Sequence, residues 1–272
     1  MSKYAVLGPQ GTFTEEAALK IWSARDTLIY APEIGEVFNL VVNRQVDGGL
    51  VPFCNSQAGS IPATIAGLLN HQVYISAEVV LPVRHCMLGP AGLDKDDVEV
   101  VISQPAVFLQ CERFLRSKMP NVRKEIVDST ARAAILIKED GRKAAAIGPS
   151  AMAKVYGLNI LAKGLEDETS NCTTFIYITP EQCIRADCNK SSLAFSLKDT
   201  PGALYNALGV FERRGINMSR LESRPRSPGS ADYMFFVDIE GGISEGHIEE
   251  ALKELQVLSS FYKYLGSYRM WS

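Results

Sequence analysis

The stretch that decides the fold is YAVLGPQGTFTEEAALKIW, residues 4–22. It begins with a short apolar run typical of a buried strand, passes through a turn that carries glycine and proline, and ends in a helical pattern. Thr14 is followed by Glu15 and Glu16, so acidic side chains lie in the first helical turn, near the positive end of the helix dipole. The stretch therefore predicts a strand, loop and helix in succession.

The same alternation recurs further along the chain. Apolar strand patterns precede helical patterns again, and the expected pairs are 48–53 with 61–70, 98–103 with 105–118, and 144–148 with 149–156. Strands that alternate with helices predict a mostly parallel α/β sheet.

A second domain is expected after a polar segment, 181–190, which breaks both periodicities and indicates a linker. Beyond it, strand and helix patterns follow in the order βαββαβ over residues 191–272, with a turn, SPGS, at 227–230. This order predicts a ferredoxin-like domain.

Composition narrows the classes of function. The chain has 272 residues and a formal charge of −3, which disfavours a nucleic-acid surface and favours small-molecule partners. No apolar run approaches the ~18 residues that a membrane span needs. Six cysteines without a CxxC pair indicate reduced thiols rather than a zinc or redox site, and a cytoplasmic protein is expected.

Polar residues follow several predicted strands, at the sheet edge where ligands bind in open α/β folds. The run VPFCNSQAGS (51–60) is the richest in hydrogen-bonding groups, and GPQGTF (8–13) could receive an anion on its backbone N–H groups. SQPAVFLQC (103–111) and DSTARAA (128–134) begin helices, where capping is the alternative reading. His85 is expected to be structural.

Taken together, GPQGTFTEEAA, VPFCNSQAGS, SQPAVFLQCERFL, DSTARAA, AAAIGPSAMAKVYGLNIL and NCTTFIYI resemble the prephenate dehydratase family in order and spacing. DTPGAL and GINMSRLESRP resemble its regulatory ACT domain. The resemblance implies a catalytic domain at 1–180, similar to type 2 periplasmic binding proteins, with one lobe at 1–76 plus 166–180 and the other at 77–165. It also implies conversion of prephenate to phenylpyruvate without a cofactor or metal, inhibition by L-phenylalanine, and a homodimer or homotetramer.

The resemblance also assigns site residues. The catalytic set is Thr173, Asn55 and Ser56. The substrate-binding set is Gly11, Thr12, Phe13, Cys54, Gly59, Thr64, Ser103, Thr174 and Phe175. The L-phenylalanine set is Gly202, Ala203, Leu204, Asn217, Glu222, Ser223, Arg224 and Pro225.

Several family motifs are altered in this chain. The family's Thr-Arg-Phe reads Thr173, Thr174, Phe175, and its glutamate before Asn-Ser is Cys54. Its Ser-His-Pro-Gln run is Ser-Gln-Pro-Ala at 103–106, and Ala66 replaces an aspartate. An arginine elsewhere, such as Arg84 or Arg132, could replace the lost cation.

Three hypotheses follow from these departures. The first is a prephenate dehydratase in which Thr173 meets the leaving hydroxyl. The second is a protein that has lost turnover and senses an amino acid through its ACT domain. The third is an enzyme that acts on another cyclohexadienyl or aromatic acid. Cys54 is expected to be inert, because no base is evident beside it in the sequence.

Overall fold

The computed structural model describes residues 2–23, 25–139, 141–183, 185, 187–225 and 233–271; the turn predicted at 227–230 lies outside them. The strands are β1 (Lys3–Leu7), β2 (Thr27–Ala31), β3 (Gly48–Asn55), β4 (Gly59–Ser60), β5 (Tyr74–Pro82), β6 (Cys86–Gly89), β7 (Val100–Ser103), β8 (Arg123–Ile126), β9 (Ala144–Gly148), β10 (Asn159–Lys163), β11 (Cys172–Thr179), β12 (Lys190–Ser196), β13 (Met218–Pro225), β14 (Tyr233–Glu240) and β15 (Phe261–Trp271). The α-helices are α1 (Phe13–Ile21), α2 (Ile34–Val42), α3 (Pro62–Asn70), α4 (Pro105–Gln110), α5 (Glu112–Lys118), α6 (Thr130–Glu139), α7 (Ala151–Tyr156), α8 (Ala203–Glu212) and α9 (Gly246–Leu258).

The first strand, loop and helix form as predicted, as β1 and α1. Thr12 caps the helix, and Glu15 and Glu16 lie in its first turn. In the sheet, β1 is parallel to β2 and β3, whereas β11 is antiparallel to β3 and β5. The sheet is mixed rather than mostly parallel, because β11 returns from the second lobe and runs against its neighbours.

The second lobe has its own sheet, in the order β10-β6-β9-β7-β8. Here β7 is parallel to β8 and β9, and β6 is antiparallel to β9 and β10. The two sheets confirm the predicted two-lobed architecture. The boundary expected near residue 77 falls inside β5, which pairs with β11 from Tyr74 to Pro82.

The single helix expected at 105–118 is two helices, α4 and α5, separated at Cys111. The carbonyl of Gln110 accepts the backbone N–H of Asp167 at 2.7 Å. The Asp167 carboxylate in turn accepts the N–H of Arg113 at 2.9 Å, at the start of α5. These contacts replace bonds that an unbroken helix would make, so the segment before β11 causes a break that helical periodicity does not reveal.

The C-terminal domain has the predicted βαββαβ order, and its strands lie in the ferredoxin-like order β13-β14-β12-β15. Its sheet continues into the first lobe, because the end of β15 pairs in parallel with β5. At the crossing, Gly266 has φ +136°, and a Cβ there would lie 2.3 Å from the Ile75 carbonyl oxygen. Only glycine allows this approach of the two strands.

The C-terminal sheet has a helical face and a face toward the first lobe. One core joins Phe195, Val237 and residues of α8 and α9. The other joins Met234, Phe236 and Tyr268 to the core of the first lobe. Both faces of this sheet are thus buried, and the two domains share a continuous core.

A charged network also crosses this junction. The Lys190 ammonium lies 2.8 Å from the Glu78 carboxylate and 3.5 Å from that of Asp238, and the three side chains are 18%, 4% and 6% exposed. Ser192 donates to Asp238 at 2.5 Å. One cation therefore balances two buried carboxylates between the domains.

None of the described helices is long and apolar enough to cross a membrane. The six cysteines are all described, and none forms a disulfide.

Candidate active site

The end of β3 and the start of β11 place Asn55 and Thr173 side by side, in register across the two strands. The Asn55 amide nitrogen donates to the Thr173 hydroxyl oxygen at 3.0 Å and to the Cys172 carbonyl at 3.1 Å. The Asn55 carbonyl oxygen accepts the backbone N–H groups of Gln57 and Ala58, each at 3.0 Å. Because its oxygen accepts from Asn55, the Thr173 hydroxyl is left to donate its hydrogen elsewhere.

Asn171 completes this cluster, and the sequence reasoning missed it. It is 2% exposed, and its carbonyl oxygen accepts from Asn55 at 2.9 Å and from the Ser56 hydroxyl at 3.3 Å. Ser56 itself accepts the backbone N–H of Cys172 at 3.1 Å. The Asn171 amide nitrogen is buried and has no hydrogen-bond partner in the described part of the chain. A polar residue two positions before Thr173, at the start of an apolar strand, was the available signal.

The Gly11, Thr12 and Phe13 turn lies where the two lobes meet. Gly11 has φ +82°, and a Cβ there would lie 3.1 Å from the side chain of Met152 in the second lobe. Its N–H donates to the Glu15 carboxylate at 2.5 Å. An anion at this turn would therefore have to replace Glu15 on the Gly11 amide.

The other residues of the turn have internal roles in this structure. The Thr12 hydroxyl accepts the N–H of Glu15 at 3.4 Å and caps α1. Phe13 packs edge-on against the His85 ring, with 5.7 Å between the centroids. The turn is thus held from within the first lobe and covered by the second.

Three residues of the expected substrate-binding set lie inside the protein. The Thr64 hydroxyl donates to the Pro52 carbonyl at 2.6 Å, and the Ser103 hydroxyl donates to the Ile147 carbonyl at 2.8 Å. Phe175 is 1% exposed and belongs to the core under α1. The structure does not bring these side chains to the Asn55 cluster. Gly59, in β4, has open space around its α-carbon.

The two altered family positions, Cys54 and Thr174, are partners in register across β3 and β11. Ser60 of β4 is the partner of Cys54 on the other side. Residues in register on antiparallel strands place their side chains on the same face, so a glutamate and an arginine at these two positions would be neighbours. The Cys54 Sγ lies 3.7 Å from the Asn55 carbonyl oxygen.

The two arginines considered as replacement cations differ in their surroundings. Arg84 donates to the Thr169 carbonyl at 2.8 Å and lies 3.4 Å from the Glu166 carboxylate. Arg132 is exposed in the first turn of α6. Arg132 is therefore the freer of the two to meet a substrate carboxylate.

His85 lies where the second lobe meets Phe13 of the first, and it is 1% exposed. Burial lowers the pKa of its imidazole, although a hydrogen bond with Gln110 at 2.8 Å and the nearby Glu166 act in the opposite sense. A neutral imidazole packed against Phe13 agrees with the expected structural role.

A cavity of about 120 Å³ lies at the beginning of α8 in the C-terminal domain. Its lining is formed by Leu197, Lys198, Asp199, Thr200, Ala203, Leu204, Tyr233 and Phe235. Ala203 and Leu204 were expected in the effector site, and Gly202 is the N-cap of α8. Backbone N–H groups at a helix N-terminus suit a carboxylate.

The remaining expected effector residues lie in different places. Pro225 pairs with Tyr233 at the end of β13 beside the cavity, and Ser223 is two residues away. Asn217 donates to Glu240 at 2.9 Å, beyond the opposite end of the same strand. The side chains of Glu222 and Arg224 contact the first lobe instead of the cavity. One chain therefore does not gather the full expected set.

The two lobes and the appended βαββαβ unit define a two-lobed α/β protein with a C-terminal ACT domain. A prephenate dehydratase family model matches residues 4–183, and an ACT domain model matches residues 191–256. The chain therefore belongs to the prephenate dehydratase family.

Individual relatives agree with this assignment. The bifunctional chorismate mutase/prephenate dehydratase of Aquifex aeolicus is 39% identical over 266 residues, which cover 98% of this chain and 73% of that protein. The structure of the Arthrobacter aurescens prephenate dehydratase in complex with L-Phe is similar at a TM-score of 0.91 and 30% identity, covering 98% of this chain and 90% of that one. The quorum-quenching acylase GqqA is similar at a TM-score of 0.86 and 28% identity, covering 98% and 97%. The fold thus hosts more than one activity, and the site must discriminate between them.

Proposed function

We propose that the protein converts prephenate to phenylpyruvate and that L-phenylalanine regulates it through the ACT domain. The observation that carries the proposal is the chain of hydrogen bonds from Asn171 through Asn55 to Thr173. It holds one hydroxyl at the start of β11 with its hydrogen free to donate. The relatives that are prephenate dehydratases support prephenate as the substrate.

The reaction asks little of titrating groups. The ring carboxylate leaves as carbon dioxide, the electron pair of the broken carbon–carbon bond enters the ring, and the ring hydroxyl takes up one proton from solvent and leaves as water. The ring becomes aromatic, which supplies much of the driving force. A donor aimed at the departing oxygen stabilises the charge that develops there, and Thr173 fits that task.

The two motif departures at positions 54 and 174 are connected. An arginine at 174 beside a glutamate at 54 would form a pair, and losing both leaves no unmatched charge behind. Thr174 and Cys54 therefore replace an ion pair with two neutral side chains. We keep the catalytic assignment on Asn55, Ser56 and Thr173, and we propose that Arg132, which is exposed in the first turn of α6, recognises a substrate carboxylate.

A thiol-based acylase is not favoured by the site. No histidine or carboxylate among the described residues hydrogen-bonds to Cys54, whose Sγ contacts a backbone carbonyl. A nucleophilic thiol normally has an adjacent base or cation.

The effector proposal includes a second copy of the chain. The edge strand β13 is free to pair with the same strand of another copy about a two-fold axis. Antiparallel pairing would bring Asn217 of one copy toward Pro225 and the cavity of the other. A homodimer of this kind, or a tetramer built from it, would complete the L-phenylalanine site.

We further propose catalytic and regulatory domains at 1–180 and 191–272, joined by 181–190, in a cytoplasmic protein.

Two adjacent threonines provide a matched test. Thr173→Val removes the proposed donor, and Thr174→Val removes the hydroxyl next to it on the same strand. Phenylpyruvate formation from prephenate should fall about 100- to 1,000-fold in the first variant and little in the second. Equal activities of the two variants, or a wild type that forms no phenylpyruvate, would contradict the proposal.

A further inference from the structure

An arginine–glutamate cluster on β13 contacts the hairpin formed by β3 and β4, which carries Asn55 of the candidate active site. Arg220 and Glu222 pair at 2.6 Å, and both side chains hydrogen-bond to the hydroxyl of Ser60 in β4. Arg224 pairs with the other oxygen of Glu222 at 2.6 Å and donates to the Ser60 carbonyl at 3.3 Å. The ACT domain thus holds the hairpin through the hydroxyl and the backbone carbonyl oxygen of Ser60.

The contact is more than a surface ion pair. The side chains of Arg220 and Glu222 are 18% and 25% exposed. The Arg220 guanidinium lies 4.3 Å from the centre of the Phe53 ring, a cation–π contact with β3 itself. Burial alone would raise the pKa of Glu222, but hydrogen bonds from Ser60 and the two arginines outweigh it and lower that pKa to about 2. The cluster therefore stays charged at neutral pH.

The contacted hairpin leads directly to the catalytic cluster. Ser60, Cys54 and Thr174 are aligned in one row across β4, β3 and β11. At the usual strand spacing this row spans roughly 10 Å. Asn55 follows Cys54 and pairs with Gly59 of β4, so loosening β4 would release the end of β3 that holds the Asn55 amide against Thr173.

We propose that Arg220 and Glu222 are positioning residues for the active site, acting through Ser60 on the β3–β4 hairpin. The ACT domain then supports the catalytic geometry within one chain. The same strand carries Ser223 and Pro225 near the effector cavity, so a ligand that displaces β13 would also displace the hairpin. The kinetic part of this inference rests on the proposed function.

The test compares four single variants of the 272-residue chain. Arg220→Gln removes the positive charge and the guanidinium N–H donors, and Ser60→Ala removes only the bridging hydroxyl. Arg213→Gln is the matched control, because Arg213 pairs with Glu254 at 2.6 Å between α8 and α9, on the other face of the ACT sheet. Arg220→Lys keeps the positive charge without the guanidinium N–H donors and should recover part of the lost activity.

Two readouts separate positioning from general stability. Hydrogen exchange of a peptide spanning 52–60 should be faster in Arg220→Gln and Ser60→Ala and unchanged in Arg213→Gln. The kcat for prephenate should fall about 10- to 100-fold in the first two variants, with KM little changed. The double variant Arg220→Gln, Ser60→Ala should lose no more than the worse single variant, since both break one contact.

Wild-type exchange and kcat in both variants would overturn the inference, and so would faster exchange with unchanged kcat. If Arg220→Gln does not fold, Ser60→Ala decides the matter alone. If wild type has no turnover, the proposed function fails, and hydrogen exchange at 52–60 then decides separately whether the cluster holds the hairpin.

Discussion

The cluster around Thr173 and the cavity at the start of α8 lie on one chain, but they are built differently. In the cluster, the side chains of Asn55, Asn171 and Thr173 hydrogen-bond to one another across two strands. At the cavity, the expected effector residues are divided between the two faces and the two ends of β13. Under the proposed function, one chain holds the whole catalytic cluster, whereas a second copy would complete the effector site.

The largest expected effect comes from breaking the junction that connects the two regions. Lys190→Met would leave Glu78 and Asp238 buried without their cation, and we expect it to reduce the free energy of unfolding by about 3–5 kcal/mol. Urea denaturation followed by tryptophan fluorescence measures this. A free energy of unfolding within about 1 kcal/mol of wild type would contradict this expectation. It would show that the buried network contributes no more than an ion pair on the surface does.

A second variant acts on the catalytic side alone. Asn171→Leu removes the acceptor for Asn55 and Ser56, so both amide and hydroxyl lose their fixed orientation. We expect kcat for prephenate to fall about 30- to 100-fold, corresponding to about 2–3 kcal/mol. The rise in melting temperature caused by L-phenylalanine should stay as in wild type. Loss of both responses would instead indicate a general folding defect and would contradict a local role.

A third experiment tests whether Cys54 and Thr174 replace an ion pair. Each single variant, Cys54→Glu or Thr174→Arg, introduces one unmatched charge and should destabilise the protein. The double variant should recover about 1–3 kcal/mol of coupling energy in a double-mutant cycle of unfolding free energies. Strictly additive effects would show that the two positions do not interact.

The smallest effect on catalysis is expected from filling the cavity at the start of α8. Ala203→Phe places a ring in the space at the start of α8, so L-phenylalanine should no longer raise the melting temperature. Without L-phenylalanine, kcat should equal that of wild type. A retained melting shift would place the effector elsewhere.

Sequence patterns predicted the elements well where local periodicity decides them. The unit at 4–22 and the βαββαβ order followed from local periodicity, and the family resemblance placed Asn55 and Thr173 in one catalytic set. The mixed sheet direction and the break at Cys111 were not predicted, since both depend on where the chain returns from the second lobe.

The site was harder to predict for the same reason. Thr64 and Ser103 carry hydroxyls typical of ligand contacts, yet both bond internal carbonyls, which only the packing of the helices decides. Asn171 and the contact of Arg220 with Ser60 join residues far apart in sequence. A single chain offers no local pattern for such contacts.

The most direct test of the central claim is the steady-state rate of phenylpyruvate formation by the wild-type protein, measured with and without L-phenylalanine. We predict turnover of prephenate that L-phenylalanine reduces. A protein whose melting temperature rises with L-phenylalanine but which forms no phenylpyruvate would contradict it, and would identify an amino-acid sensor built on the dehydratase fold.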